Sequence, residues 1–227
     1  MPPLSILLKP ASSACNLRCT YCFYADEAQK RQVPNYGMMS DEVVRAVLDK
    51  AFAAAEGSVS FLFQGGEPTL AGLDFYRRFT ALAKARTPSG LAVRYAIQTN
   101  GTLLDKSWCR FFAENQFLTG LSLDGNRACH DRFRTDAAGR GTYSRVVRAA
   151  QLLDQAGAQY NVLAVVTGHL AGHIRSAFAA LCKSGFRYQQ YIPCLDPLGA
   201  ARGGAAYSLS PAQYGEFLKT LFDLWYR

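Results

Sequence analysis

Val59-Ser-Phe-Leu-Phe63-Gln64-Gly65-Gly66-Glu67-Pro68 reads as an apolar strand running straight into a polar, glycine-rich turn. The same arrangement recurs along the chain. Residues 5–9 form a first strand, 59–63 the second, 92–98 the third, 117–123 the fourth, 160–166 the fifth and 188–193 the sixth. Helical patterns lie between them, over 40–55, 73–85, 105–115, 143–155 and 174–183. Ser40 and Asp105 are placed to cap free amide groups, and Asp41 and Glu42 suit the positive end of a helix. Gly157 and Gly185 stop two of the helices. Ser210, with Pro211 at the first helical position, opens a last one. Residues 125–141 read as a polar connection. Six β/α units in a row imply a parallel sheet with right-handed crossovers. The expected fold is α/β, a partial (β/α)6 TIM-like barrel of parallel strands forming one domain over residues 1–227, with its site at the C-terminal strand ends.

Those strand ends carry the chemistry. After the first strand comes Cys15-Asn-Leu-Arg-Cys19-Thr-Tyr-Cys22, a C-x3-C-x2-C spacing followed by Phe23 and Tyr24. After the second comes Gln64 to Pro68, after the third Gln98-Thr-Asn-Gly101, after the fourth Ser122-Leu-Asp-Gly125, and after the sixth Cys194-Leu-Asp-Pro197. Any one of these is an ordinary tight turn. Together, beside a metal motif, they read as one mouth. Three thiolates within eight residues can close around an iron–sulfur cluster. A cubane normally takes four cysteines, so three leave one iron open for a ligand. Zinc is the competing metal. It wants four closed N or S ligands, and Cys109, Cys129, Cys182, Cys194, His130, His169 and His173 are scattered, so a fourth ligand would have to come from the fold.

The chain has 227 residues, enough to bury a substantial core. At 49% hydrophobic and 19% charged it is ordinary for a globular protein. No apolar run reaches the length of a membrane span. The formal charge of +8 is spread along the chain without a basic run or a nucleic-acid motif, so it reads as a solvated basic surface with some role in holding anionic ligands. Neither nucleic acid nor membrane is expected as a partner. An odd count of seven cysteines and the lack of a secretory pattern suit a reducing, cytoplasmic setting.

The cysteine motif with Tyr21 inside it, and Gly65-Gly66-Glu67-Pro68 after the second strand, resemble the radical S-adenosylmethionine (SAM) enzymes. The segments 63–72, 98–104, 121–125, 130–134, 190–197, 207–211 and 214–219 resemble, more narrowly, the anaerobic sulfatase-maturating enzymes. The resemblance implies a radical SAM core in which Cys15, Cys19 and Cys22 hold a [4Fe–4S] cluster and SAM chelates the open iron. It implies reductive cleavage of SAM to a 5′-deoxyadenosyl radical that oxidises a sulfatase Cys or Ser to Cα-formylglycine. Partners would be a sulfatase polypeptide and an electron donor such as flavodoxin or ferredoxin. For the SAM site it implies Gly65 and Gly66, whose missing Cβ atoms let backbone approach the amino group. It adds Glu67 as a carboxylate or turn-former, Ser122 and a two-pronged Arg134 at the polar end, Tyr21 packed on the adenine, and Leu195 lining it. Tyr24, Gln64 and Gln98 would face the radical and the peptide. Asp124 is expected to stabilise its turn and His130 to pair locally with Asp131. Cys109 and Cys182 are expected in the core, and Cys129 and Cys194 in packing, with the lumen as the alternative for either.

Family members of this type also carry a SPASM-type half with two further clusters and an aspartate proposed as base. That half is absent from residues 1–227, and the apolar helical pattern ending at Trp225 leads us to expect a fragment of a longer enzyme. Two other readings remain: a related peptide-modifying radical SAM enzyme making thioethers, crosslinks or epimers, and a non-catalytic zinc or iron–sulfur module.

Overall fold

The computed structural model describes residues 3–226. Six strands run parallel in sequence order: β1 (Leu4–Leu8), β2 (Ser58–Phe63), β3 (Ala92–Thr99), β4 (Phe117–Ser122), β5 (Tyr160–Val166) and β6 (Gln189–Pro193). Each strand neighbours the next one in the chain, so every connection is a crossover over the same face. The sheet curls into a half-barrel, as the alternation of strand and helix implies. Helices α2 (Asp41–Ala54), α3 (Leu73–Arg86), α4 (Lys106–Glu114), α6 (Tyr143–Ala156) and α8 (Ile174–Lys183) pack outside it, and α9 (Pro211–Tyr226) follows β6.

Helix ends follow local chemistry. Ser40 Oγ accepts from Val43 N (3.3 Å), and Asp105 Oδ1 accepts from Ser107 N and Trp108 N (2.8 and 3.0 Å). At α9, Gln213 N donates to Ser210 Oγ (3.2 Å) and Ser210 N to Gln213 Oε1 (2.9 Å), a reciprocal cap ahead of Pro211. Three short helices lie where the sequence reads as connection: α1 (Phe23–Gln29), α5 (Arg127–Phe133) and α7 (Gly168–Gly172). None exceeds seven residues, so none repeats an apolar position often enough to show helical periodicity. Two of them carry side-chain caps, Asn126 Oδ1 accepting from Cys129 N (3.0 Å) at α5 and Thr167 Oγ1 from Leu170 N (3.1 Å) at α7, while α1 has none.

Strand side chains alternate between two environments. Phe61, Phe63 and Phe117 point outward into an aromatic core with Tyr76, Phe79 and Phe112, all fully buried. Phe63 and Phe79 meet edge to face at 5.0 Å, and Tyr95 stacks on Phe117 at 5.0 Å. A second cluster joins Ala164, Val166, Ile174 and Phe217 under α9. The alternate positions face the lumen. Register sets Gln98 beside Gly120 and Gly120 beside Asn161. Glycine at position 120 leaves room for Gln98, since a Cβ there would stand 2.1 Å from Gln98 Oε1 and make that side chain shift. Cys109 is buried in the main core, but Cys182 is exposed, contrary to the helix-pattern expectation. It sits at the outward edge of α8 beside the last turn. No helix is long and apolar enough to cross a membrane among the described residues.

Candidate functional site

The cysteine loop leaves β1 and is pinned on two sides. On one side the turn after β2 grips it: Gly66 N donates to Ser12 O (3.1 Å) and Glu67 N to Ala14 O (2.7 Å). A Cβ on Gly66 would stand 2.1 Å from Ala14 O, and one on Gly65 would stand 2.8 Å from Ser12 O. The close approach of the cysteine loop therefore requires both glycines, and both also line the hollow beside the cysteines. Their carbonyls accept no backbone hydrogen bond among the described residues. On the other side, Arg18 N donates to Thr135 O (2.7 Å) and Thr20 N to Phe133 O (3.1 Å), so α5 and its exit hold the same loop.

This pinning places Cys15, Cys19 and Cys22, all free thiols, on one hollow of 310 Å³. Tyr24, Gln64, Gln98, Ser122 and Leu195 line it with them. A wider hollow of 760 Å³ adjoins it and is also walled by the three cysteines, Tyr24 and Leu195. Among the described residues, no three Cys, His, Asp or Glu side chains crowd closely enough to hold a single metal ion. Burial pushes the Cys15 thiol up and Cys19 to about 11. Both are protonated at neutral pH until a metal displaces the proton. Leu17 N donates to Cys15 Sγ at 3.4 Å. Three soft donors on one hollow, with N–H support, fit a thiolate-held cluster in their chemistry.

Glu67 is buried, at 1% exposure. Its Oε1 accepts from Thr69 N (3.0 Å), Thr69 Oγ1 (2.6 Å) and Thr99 Oγ1 (2.7 Å), and its Oε2 from Asn100 N (2.7 Å). It is the turn-former of its two expected roles, tying the end of β2 to the end of β3. Burial pushes its carboxyl up, against the four hydrogen bonds.

Asp124 has a larger job than stabilising its own turn. It accepts from Arg134 Nε (2.8 Å) and Nη2 (3.1 Å), from Val165 N (2.9 Å) and from the Tyr21 hydroxyl. Burial alone would push its carboxyl up. The Arg134 charge and hydrogen bonds, with His130 and Tyr21, outweigh that and hold it below the usual carboxylate range. One sequence expectation changes here. The Nε/Nη2 edge of Arg134 belongs to Asp124, so Arg134 is not free to offer that edge as a two-pronged clamp to a ligand, and Nη1 is the part left over. Tyr21 is buried with its hydroxyl on Asp124, its ring edge-on to Phe133 and Tyr207, and Arg134 over it at 5.4 Å. These contacts fix the ring, which also lines both hollows at the cysteines.

Ser122 and Gln98 are joined, Gln98 Nε2 donating to Ser122 Oγ (3.1 Å). Tyr24 carries Lys9 Nζ 4.7 Å from its ring centre. Leu195 is 58% exposed, so it is no core leucine. Cys194 also lines the hollow, whereas the sequence suggested packing, because the chain after β6 turns over the mouth. Burial pushes its thiol up to about 12. Cys129 does pack, in the second core cluster. His130 does not pair with Asp131. Its Nδ1 accepts from Asp124 N (3.2 Å) and its Nε2 faces Thr142 Oγ1 (2.9 Å), which itself donates to Arg134 O (3.0 Å). Asp131 accepts from Tyr143 N (2.8 Å) at the start of α6 instead.

A parallel half-barrel with three cysteines at the C-terminal rim defines a class of cofactor-dependent α/β protein. The radical SAM superfamily model matches residues 10–178, and the chain belongs to that superfamily. The chain is 47% identical over 226 residues to the cysteine-type anaerobic sulfatase-maturating enzyme of Clostridium perfringens (strain 13 / Type A), covering 100% of this chain and 61% of that one. It is 37% identical over 223 residues to the serine-type anaerobic sulfatase-maturating enzyme of Klebsiella aerogenes, covering 98% and 54%. Among solved structures it is similar to native anSMEcpe with bound AdoMet and a Kp18Cys peptide. The TM-score is 0.94 at 46% identity, over 99% of this chain and 60% of that one. The chain thus spans about three fifths of the length of its C. perfringens relative.

Proposed function

We propose that this chain is the SAM-cleaving core of an anaerobic sulfatase-maturating enzyme, acting on a Cys or Ser of a sulfatase polypeptide to give Cα-formylglycine. The observation that carries the reading is the gathering of Cys15, Cys19 and Cys22 on the hollow that Gln64, Gln98, Ser122 and Leu195 also line. The sulfatase-maturating relatives named above support the substrate.

Cys15, Cys19 and Cys22 would hold a [4Fe–4S] cluster, with SAM bound in the same hollow. When bound and reduced, this pair supplies methionine and a 5′-deoxyadenosyl radical able to take a hydrogen atom from a strong C–H bond. The chain's own residues bind and orient. The Gly65 and Gly66 carbonyls, without backbone donors, accept from the SAM ammonium. Ser122 Oγ and Arg134 Nη1 would serve its carboxylate, the arginine as a single prong pre-set by Asp124. Leu195, held over the mouth and exposed, covers the adenine with apolar surface. Gln64 and Gln98 present neutral amides to a peptide backbone without adding charge, and Tyr24 closes the wall beside them. Asp124 supports Arg134 from outside the hollow, and Tyr21, bonded to Asp124, lines it. Water exclusion and alignment at the mouth are the protein's share of the chemistry.

Anaerobic reconstitution with iron and sulfide, then reduction in the presence of SAM and a Cys-x-Pro-x-Arg peptide, tests this. The expected products are 5′-deoxyadenosine and a change in peptide mass. Nucleoside with an unaltered peptide would confine the activity of these residues to SAM cleavage. Cys19→Ala is expected to abolish nucleoside formation, and retained turnover in that variant would refute the assignment of the cysteines.

A further inference from the structure

Asn100 has no part in the roles above, yet its side chain is fixed from several directions beside Cys15. It is buried, at 7% exposure. Its backbone N–H donates to Glu67 Oε2 (2.7 Å). Its Oδ1 accepts twice from the same residue, from Thr102 N (3.0 Å) and Thr102 Oγ1 (2.7 Å). With the oxygen so engaged, the nitrogen end of the amide must face the other way. There Nδ2 donates to Asn16 Oδ1 (2.8 Å) and stands 3.9 Å from Cys15 Sγ. Asn16 Nδ2 closes the ring on Thr102 Oγ1 (2.9 Å). The network settles which end of the amide is the donor, and it aims that donor at a sulfur.

We propose that Asn100 is a positioning residue for the metal site: its Nδ2 holds the Cys15 sulfur in place and, with a cluster bound there, raises the cluster's reduction potential. This rests on the reading that Cys15, Cys19 and Cys22 carry an iron–sulfur cluster. Hydrogen bonds to cluster sulfurs draw off negative charge and favour the reduced form, and such supporting donors also fix ligand orientation. Leu17 N supplies one donor to Cys15 from within the loop, and Asn100 supplies another from the end of β3. The Glu67 carboxylate holds the Asn100 backbone, so the glycine-rich turn after β2 reaches the cysteine loop by two routes. One is direct, through Gly66 and Glu67 backbone N–H groups. The other runs through Asn100.

The competing role is a plain turn tie through Thr102, which would move stability but not a potential. Asn100→Ala removes the donor. Asn100→Asp keeps the shape and the acceptor for Thr102 but turns an oxygen toward Cys15. Each is reconstituted as the full chain alongside wild type, and iron content, thermal unfolding and the midpoint of an EPR-monitored redox titration are measured. The expected result is a more negative midpoint in both variants. The larger shift is expected in Asn100→Asp, by about tenfold or more in the reduction equilibrium, which for one electron is about 59 mV. Reduced iron content in a variant that unfolds like wild type also supports the holding role. Midpoints and iron contents equal to wild type in both folded variants overturn the proposal. Should Asn100→Asp fail to fold, Asn100→Ala carries the test, with the same expected drop and the same overturning result. A wild-type chain that takes up no cluster rejects the underlying reading as well, and is told apart because it shows before any substitution.

Discussion

At the scale of single residues, burial decides which groups are free to act. His130 is wholly buried, with Nδ1 accepting from Asp124 N. A proton on Nδ1 would remove that acceptor, so the neutral Nε2–H tautomer is the one that fits. Burial, joined by the Arg134 charge and opposed by Asp124, lowers its pKa from 6.5 to about 4. The folded pKa lies below the unfolded one, so the unfolded chain binds the proton more readily. The stability contributed by neutral His130 is complete above the unfolded value and is lost as pH falls through the window between the two. Two to three pKa units correspond to about 3 kcal/mol at the bottom of that window. Urea unfolding across this range is expected to weaken by that order, and His130→Gln to flatten the slope. An equally steep slope in the variant would assign the loss to another group. Asp124 is the second such residue. Asp124→Asn leaves the buried Arg134 charge uncompensated, and the expected loss is about 3–5 kcal/mol in unfolding free energy. A loss within the range of an exposed pair, below about 1 kcal/mol, would mean that water reaches Arg134.

Between elements, the turn after β2 acts as a clamp on the cysteine loop. Gly66→Ala drives a methyl group into the backbone at Ala14, and backbone cannot swing aside as a side chain can. The expected destabilisation is about 1–3 kcal/mol, accompanied by poor retention of iron after reconstitution. Gly72, which has a positive φ of 82° but nothing within 4 Å of a Cβ, is the control: Gly72→Ala carries backbone strain alone and should load iron normally. Equal loading in both variants would show that the loop does not depend on the clamp. This division also explains what could be read from the chain. Strand and helix periods are local, so all six strands and the longer helices appear in the sequence with their ends shifted by only a residue or two. The cysteines and the Gly-Gly-Glu-Pro turn are legible because their chemistry depends on residue type. The pairing of Arg134 with Asp124 and the facing of Asn100 toward Cys15 are products of tertiary approach, 10 and 85 residues apart in sequence. No local pattern marks them. The short α5 was hidden for a different reason: its seven residues lie within a polar stretch, and only the Asn126 cap announces it.

On the scale of the whole molecule, the chain carries a net formal charge of +8. Such a field does not shape the fold, but it steers charged partners and raises their rate of encounter. On the function proposed above, a cluster bound here would need an electron from outside, and a small acidic carrier protein would be drawn to a basic chain. The steering is screened at a Debye length of about 10 Å near 0.1 M salt. Reduction of the reconstituted chain by such a carrier, followed by stopped-flow absorbance under anaerobic conditions, is therefore expected to slow by about tenfold or more from low to high ionic strength. A small neutral reductant mixed under the same conditions should show little change, which separates steering from any effect of salt on the cluster itself. Equal salt dependence for carrier and neutral reductant would remove the basic surface from the account of electron delivery. A steep dependence for the carrier alone would point mutagenesis toward basic residues around the mouth. Arg18 is the first to test, because it is exposed and lies between Cys15 and Cys19, on the same loop that the turn after β2 and the exit of α5 hold in place.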